Sequence, residues 1–585
     1  MADDMLSIAS LQIPSLEHND CVRVEMACNQ MRQAISLVHP EVPLVKSGYE
    51  AAYTHYSSSL VRAIDDGCCY HDKPGSGVWI AGYNNGGLEV INTQWQSYLD
   101  FDKTLIPRVP HYRPFKKGDI LACTRNIHPC TGELMLGKNL LVGFLSAGGW
   151  NYEDAIVISQ SAANKMAYQR VFSGRLELED EVLFSLCGDD DYIPILEDGT
   201  KVNVGDPLFK ISTPMPDNIS AVVPCHKTIT AEQSGYFYSK IYIRKESVCH
   251  TQMSRWLKAK KKSQIIAEKE LLDTFSKIEG SEEKLTPYLY TSNSGRIESK
   301  TAVIDFWIVD EQPLTVGCKL ANRHGNKGVI SIIKPDEEMP MLKDGRRLEV
   351  ILNSLGVISR MNLGQLFELH INYLADMLVR KNEKVSDLEL VKKCLTLIEK
   401  LDGTPNKEYS RQASEFALQN VGDIAYDIRT NGLQIIQPPF SSASFDMIMD
   451  AANYVGEPLE ATIMLDGKEQ KCSVGKMYML RLQHEPDHKI FGRSVGAYGK
   501  HEQAPSGTDA HRMGEMEVWC LFAYEAWGVI REFHSIKADN PEERYRFFQH
   551  LYDQKEEFYE PLSLQTVTYE TFRTYLKGAG LKVTF

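Results

Sequence analysis

Apolar residues recur along this chain in two rhythms, and the rhythm changes several times. Over residues 1–165 short apolar runs alternate with turn residues, and 137–159 reads as strand, Gly-rich turn, strand. Between 166 and 300 the character shifts. Residues 200–211 predict strands around a Gly205-Asp206-Pro207 turn. Trp256, Leu257, Ile265, Leu272, Phe275 and Ile278, set among charges, predict a helix over about 252–279. Strands return at Ala302-Val303-Ile304 and Trp307-Ile308-Val309, and again at 329–333 after a basic, Gly-containing loop. Leu363, Leu366, Phe367, His370, Leu374 and Met377 then fall at helical spacing. Ser386 with Glu389 forms the sequence of a capping box before Leu388, Val391, Leu395 and Ile398, with Gly403 just past the end. A strand region is predicted at 460–482, a helix at 514–531, and a shorter helix at 569–577 closed by Gly578 and Gly580. These elements predict a mixed α+β chain of several domains.

Composition narrows the class. The 585 residues are 43% hydrophobic and 24% charged, ordinary values for a folded protein, with no low-complexity tract or fixed-period repeat. The N-terminus is acidic, and the most apolar stretch, 139–150, is broken by Ser146, Gly148 and Gly149 and is too short to span a bilayer. A cytoplasmic protein with no membrane partner is expected. The 13 cysteines form no Cys-x-x-Cys pair and read as free thiols. The net charge of −14 argues against nucleic acid only when taken alone, because binding follows where cations cluster. Arg255, Lys258, Lys260, Lys261 and Lys262 form one cluster, and Lys319, Arg323 and Lys327 another.

The second cluster lies in the loop between two predicted strands. Gly325 and Gly328 let backbone approach a ligand closely, and three cations on a short arc suit phosphates. It is not a Walker loop, and on chemistry alone it reads equally as a phosphate cradle or as a solvated turn. Arg23, Arg32 and Gln33 lie on a predicted helix whose plain reading is a solvated face. Glu153 and Asp154 follow a Gly-rich turn, and adjacent carboxylates there read as a polar turn or as a pair reaching Mg²⁺ through water. His484 and His488 have a metal-like spacing, but Pro486 between them opposes the helix it would need. No Asp-x-Asp-x-Asp run or dinucleotide fingerprint is present.

Read in order, six blocks resemble the β subunit of multisubunit DNA-directed RNA polymerases. Residues 16–34, LEHNDCVRVEMACNQMRQA, resemble the family's fork-loop segment LEHDDANRALMGANMQRQA. Residues 137–144 with 149–156, GKNLLVGF and GWNYEDAI, resemble GQN…AF and GYNFEDAI. Residues 317–331, GCKLANRHGNKGVIS, resemble GDKMAGRHGNKGVIS, and 352–365, LNSLGVISRMNLGQ, resemble LNPLGVPSRMNIGQ. Residues 475–480 with His484, Lys489 and 493–498 resemble GYMYMLKLNH…DK…ARSTGPY, and 512–519 resemble RFGEMEVW. Cys318, Asn322 and Ala27 depart from the pattern, where the family has an acidic residue, a glycine and a glycine.

The resemblance implies the C-terminal half of a split β subunit, as in giant-bacteriophage RNA polymerases, working in an infected bacterial cell. It implies one double-psi β-barrel of a two-barrel core. Residues 1–165 would be the fork-loop region and first part of that barrel, 166–300 a diverged flap-like insertion, 301–500 the rest of the barrel and the hybrid-binding region, and 501–585 the clamp. By the same resemblance Arg23 and Arg360 face the phosphates of the incoming nucleotide. Lys319 and Lys327 lie near the RNA 3′ end, and Gln33 and His484 beside nascent RNA. Arg493 and Arg512 face the hybrid and clamp, and Glu153 and Asp154 approach a second Mg²⁺ through water. The catalytic Mg²⁺ would be held by an Asp triad on a β′-like partner. Further implied partners are the N-terminal half of β, a promoter-specificity subunit, DNA, RNA and nucleoside triphosphates. The alternative is a non-catalytic, nucleic-acid-binding or regulatory relative.

Overall fold

The structure, a computed structural model, describes residues 6–55, 57–72, 78–110, 113–178, 196, 198–213, 225–243, 291–292, 295–296, 302–465, 467–490, 513–537, 541–553 and 567–582. They fall in two compact units, Met1–Glu485 and Pro486–Phe585.

The first unit is built on a closed barrel. Helix α1 (Cys21–Arg32) precedes it and starts at Asp20, whose carboxylate accepts a hydrogen bond from Val22 N. The barrel strands are β1 (Gly137–Phe144), β2 (Ala155–Ser159), β3 (Lys319–Asn322), β4 (Lys327–Lys334), β5 (Val350–Leu352) and β6 (Lys468–Arg481). Their order is β1-β5-β2-β4-β3-β6, and β6 returns to pair with β1, so the six strands close. The pairs β1/β5 and β2/β4 are parallel, and the other four are antiparallel.

The period-2 pattern of the strands explains how the barrel fills. Leu140, Val142, Phe144, Ile156, Ile158, Leu320, Ile330, Val350, Leu352, Met477 and Met479 belong to one buried cluster. Their sequence neighbours Leu141, Val157 and Ile351, with Val474 of β6, belong to another, shared with the helices that pack outside. The short α2 (Leu355–Arg360) places Val357 in the barrel cluster, and the outer helices are α3 (Gly364–Lys381), α4 (Asp387–Leu401) and α5 (Phe445–Val455). On α3, Leu369 joins the barrel cluster, while Ile371, Leu374, Ala375 and Leu378 join the outer one. Ser444 caps α5 through its hydroxyl, which accepts from Met447 N. Ser386 does not form the expected capping box. It has extended N-cap dihedrals but no side-chain cap bond, and the first-turn Asp387 is drawn instead to Arg429.

A second sheet grows from the barrel between β2 and β3. Strand Tyr168–Leu178 pairs along its whole length with Ala302–Gln312, Gly235–Ile243 lies on the other edge of Ala302–Gln312, and Thr200–Val202 lies beyond that. Residues 302–312 therefore belong to the insertion's sheet. The barrel resumes only at Lys319, past the boundary expected at 301. The antiparallel return of an eleven-residue strand is what carries the chain back. The predicted strands at 200–211 are Thr200–Val202 and Pro207–Thr213, the latter paired with Cys225–Thr230. The helix expected at 252–279 lies outside the described residues.

In the second unit the described helices are Glu515–Ala523, Trp527–Phe533, Pro541–Tyr552 and Val567–Gly578. The single helix expected at 514–531 is two. Glu525 sits at φ 53°, and Ala526 N turns back to Leu521 O, which ends the first. The uniformly apolar character of 518–523 and 526–530 gives no sign of that break. Arg493 and Arg512 lie outside the described residues.

Candidate functional site

The basic loop is the tip of the β3–β4 hairpin, and most of its order comes from side chains beneath it. Asn322 Oδ1 accepts from His324 N (2.9 Å) and Asn326 N (3.1 Å), and its Nδ2 donates to Gln365 Oε1 (2.8 Å). An asparagine where the resemblance has glycine thus supplies acceptors that hold the turn.

Arg323 corrects the picture of three cations on one arc. It is 3% exposed and points inward. It donates to Val45 O (2.8 Å) and to Glu368 Oε1 (2.9 Å) and lies over the Tyr478 ring. Glu368, on α3, also receives Tyr478 N (3.0 Å) and meets His324 Nε2 at 2.7 Å. Burial works to raise the Glu368 carboxyl, but the Arg323 charge and these donors outweigh it and hold it at about 2. Burial keeps His324 below its usual range, hence neutral. The bonding then assigns the tautomer: Nε2–H donates to Glu368, and Nδ1 accepts from Asn19 Nδ2 at 3.2 Å.

Around this buried anchor the segments singled out in sequence converge. Gly325 has φ +77°, and a Cβ there would come within 2.5 Å of Arg23 O, so the backbone carrying Arg23 rests directly on the loop. A Cβ on Gly328 would lie 2.3 Å from Asp154 O, which accepts from Val329 N at 2.8 Å. Lys327 and Asp154 are thereby neighbours of one backbone contact. Arg360 reaches Asp154 with both terminal nitrogens, Nη2 to Oδ2 at 2.9 Å and Nη1 to Oδ1. Asn19 Oδ1 accepts from Gly364 N (3.2 Å), and Asn362 Nδ2 donates to His324 O (3.2 Å), tying the end of α2 to the same loop. Lys319 O accepts from Leu482 N (3.0 Å), Gln33 O accepts from Gln483 N (3.0 Å), and Gln33 Oε1 lies 2.8 Å from His484 Nε2. Arg23, Gln33, Glu153, Asp154, Lys319, Lys327, Arg360 and His484 therefore belong to one connected region.

The charged groups there differ in their company. The Arg23 guanidinium contacts the Met26 sulfur at 3.2 Å, and no carboxylate lies within ion-pair reach of Lys319 among the described residues. Asp154 raises the pKa of Arg360 by direct hydrogen bonding, against the effect of burial. Among the described residues no cluster of three or more His, Cys, Asp or Glu could hold a metal ion. Glu153, at φ 53°, and Asp154 are two carboxylates only, and both oxygens of Asp154 are taken by Arg360. The pair does not by itself fit a resident metal. Sequence reasoning missed Glu368, Asn19, Asn322, Asn362 and Gln365. The legible sign of Glu368 was a carboxylate set within the apolar stripe of a helix.

The family model for RNA polymerase Rpb2, domain 6, matches residues 9–510. The chain belongs to that family. Among curated relatives it is similar to the DNA-directed RNA polymerase subunit beta of Ureaplasma urealyticum, 29% identical over 592 residues, covering 92% of this chain and 39% of the relative. It is similar to the subunit of that name from Ehrlichia ruminantium, 28% identical over 665 residues, covering 94% of this chain and 47% of the relative. It is also similar to the one from Listeria monocytogenes, 29% identical over 574 residues, covering 92% and 41%. This Rpb2-like chain thus spans between 39% and 47% of the length of these relatives. Every residue of the connected region lies inside the matched span, as does Arg493; Arg512 lies just beyond it. No helix among the described residues is long and apolar enough to cross a membrane.

Proposed function

We propose that the chain acts in a DNA-dependent RNA polymerase and corresponds to the C-terminal half of a β-type large subunit, of the kind found in giant-bacteriophage enzymes. The observation that carries this reading is the gathering of Arg23, Lys319, Lys327 and Arg360 around one hairpin in a chain of the Rpb2 domain 6 family. Four cations from remote segments, two of them arginines, suit a polyphosphate flanked by nucleic acid. The closed barrel, with two parallel and four antiparallel pairs, is read as the double-psi barrel contributed to a two-barrel active centre.

On this reading Arg23 and Arg360 hold the phosphates of the incoming nucleotide, Lys319 and Lys327 the RNA 3′ end, and Gln33 and His484 nascent RNA. Arg493 and Arg512 serve the hybrid. The chain positions reactants and neutralises charge, and these are the principal contributions to phosphoryl transfer. Mg²⁺, held by a β′-like partner with an Asp triad, supplies the Lewis acidity. The N-terminal half of β and a promoter-specificity subunit complete the enzyme in the cytoplasm of an infected bacterium. Unspent apolar surface favours partners: Leu355, Ile358 and Met361, on and beside the short helix that carries Arg360, are exposed.

The test is to co-express the chain with candidate partners, one bearing Asp-x-Asp-x-Asp, and to assay DNA-templated RNA synthesis with Mg²⁺. Synthesis that requires this chain is expected. Failure to co-assemble, or equal synthesis without the chain, refutes the reading and favours a regulatory relative.

A further inference from the structure

We infer that Asp154 is a positioning residue for Arg360, fixing its guanidinium from the barrel wall for a phosphate, and is not a metal ligand. The inference rests on the reading of Arg360 as a nucleotide contact.

Asp154 is held at a fixed point. Its carbonyl accepts from Val329 N at 2.8 Å, Gly328 packs against it, and the next residue, Ala155, begins β2 in register with Val329 of β4. Arg360 lacks such support. It ends a six-residue helix whose C-cap, Met361, is left-handed at φ 53°, and whose neighbours Ile358 and Met361 are exposed. Among the described residues Asp154 is its ion-pair partner, and the contact is a two-pronged fork through Nη1 and Nη2.

A guanidinium has five N–H donors. The fork uses two and leaves Nε–H and one hydrogen on each terminal nitrogen for phosphate oxygens, so Arg360 can hold Asp154 and a phosphate together. Metal coordination by Asp154 would have to break this fork. Because Asp154 is clamped to the strand that begins at Lys327, the fork also ties Arg360 to the lysine hairpin.

The experiment uses the assembled enzyme with Asp154→Asn, Arg360→Lys, Arg360→Ala and the double variant Asp154→Asn/Arg360→Ala, each checked for folding by thermal melting. Nucleotide KM, kcat and the Mg²⁺ concentration for half-maximal rate are measured. Arg360→Ala is expected to lower kcat/KM about ten- to hundredfold. Asp154→Asn and Arg360→Lys, which keep the arginine or its charge but break the fork, are expected to raise KM by roughly three- to tenfold with kcat and Mg²⁺ dependence unchanged. In the Arg360→Ala background Asp154→Asn should then add less than about a twofold effect, because the two act as a unit. A raised Mg²⁺ requirement in Asp154→Asn, or a full effect that persists without Arg360, overturns the inference and leaves the Arg360 assignment standing. An unchanged kcat/KM in Arg360→Ala overturns both.

Discussion

Arg323 and Arg360 show at the residue scale that location decides what a charge does. Each is paired with a carboxylate. The Arg323–Glu368 side chains are 4% and 1% exposed, those of Arg360 and Asp154 22% and 44%. Removing one member of the buried pair leaves a stranded charge. Glu368→Ala is therefore expected to cost about 3–5 kcal/mol, read as a large fall in melting temperature, and the exposed pair about 1 kcal/mol or less. In sequence Arg323 looked like Lys319 and Lys327, because nothing local shows which way a loop side chain turns. Acid sensitivity follows from the same burial. Glu368 is held at about 2 against an ordinary 4.5, so its stabilisation is present above pH 4.5 and is lost as pH falls toward 2. His370 on α3 is pushed down to about 4 by burial, and its Nδ1 has no partner among the described residues. The unfolded chain takes up that proton below about 6.5 and the folded chain does not, so stability falls between pH 6.5 and 4. The expected loss is on the order of 3 kcal/mol. His370→Leu should flatten that limb. Melting temperatures at pH 7 and pH 5 check it, and an unchanged gap between them would contradict the assignment.

At the scale of elements, the barrel strands were legible as short apolar runs between turn residues. β1, β2, β4 and β6 fall where those runs put them, and α3 follows its apolar stripe. What escaped were features decided by partners distant in sequence. The pairing of Tyr168–Leu178 with Ala302–Gln312 joins segments more than a hundred residues apart, and nothing in either run names the other. Ser386 has the capping-box sequence, but Asp387 answers to Arg429. The candidate site was legible as separate motifs, and the anchor that joins them was not, because Glu368 reads as one carboxylate on a helix. The hairpin carrying the lysines depends on the barrel interior just beneath it. Leu320, adjacent to Lys319, is fully buried in the barrel cluster. Leu320→Ala should destabilise the first unit by about 2–5 kcal/mol, through lost burial and the cavity left behind. A fall in the denaturant midpoint with the slope unchanged is the expected observation; no change would place Leu320 outside the core.

At the scale of the whole molecule the sum of charge misleads. A net −14 predicts repulsion from nucleic acid at long range, whereas the region around the hairpin presents Arg23, Lys319, Lys327 and Arg360. Screening separates the two effects, because distant exposed charges fade beyond about 8 Å at physiological salt and direct phosphate contacts act within it. An acidic body with a cationic site should bind RNA through a few displaced counterions and suffer little non-specific adhesion elsewhere. Each single-strand phosphate neutralised contributes roughly 0.7 to the slope of log affinity against log salt. Lys319→Ala with Lys327→Ala should therefore weaken retention of short RNA and flatten that slope by about 1.4. Nucleotide KM should change much less, since the arginines remain. Titrating RNA retention by the assembled enzyme from low to moderate salt measures the slope. If the double variant loses affinity but keeps the parent's slope, the lysines act on hairpin structure and not on phosphates. If neither quantity moves, RNA is held elsewhere in the assembly.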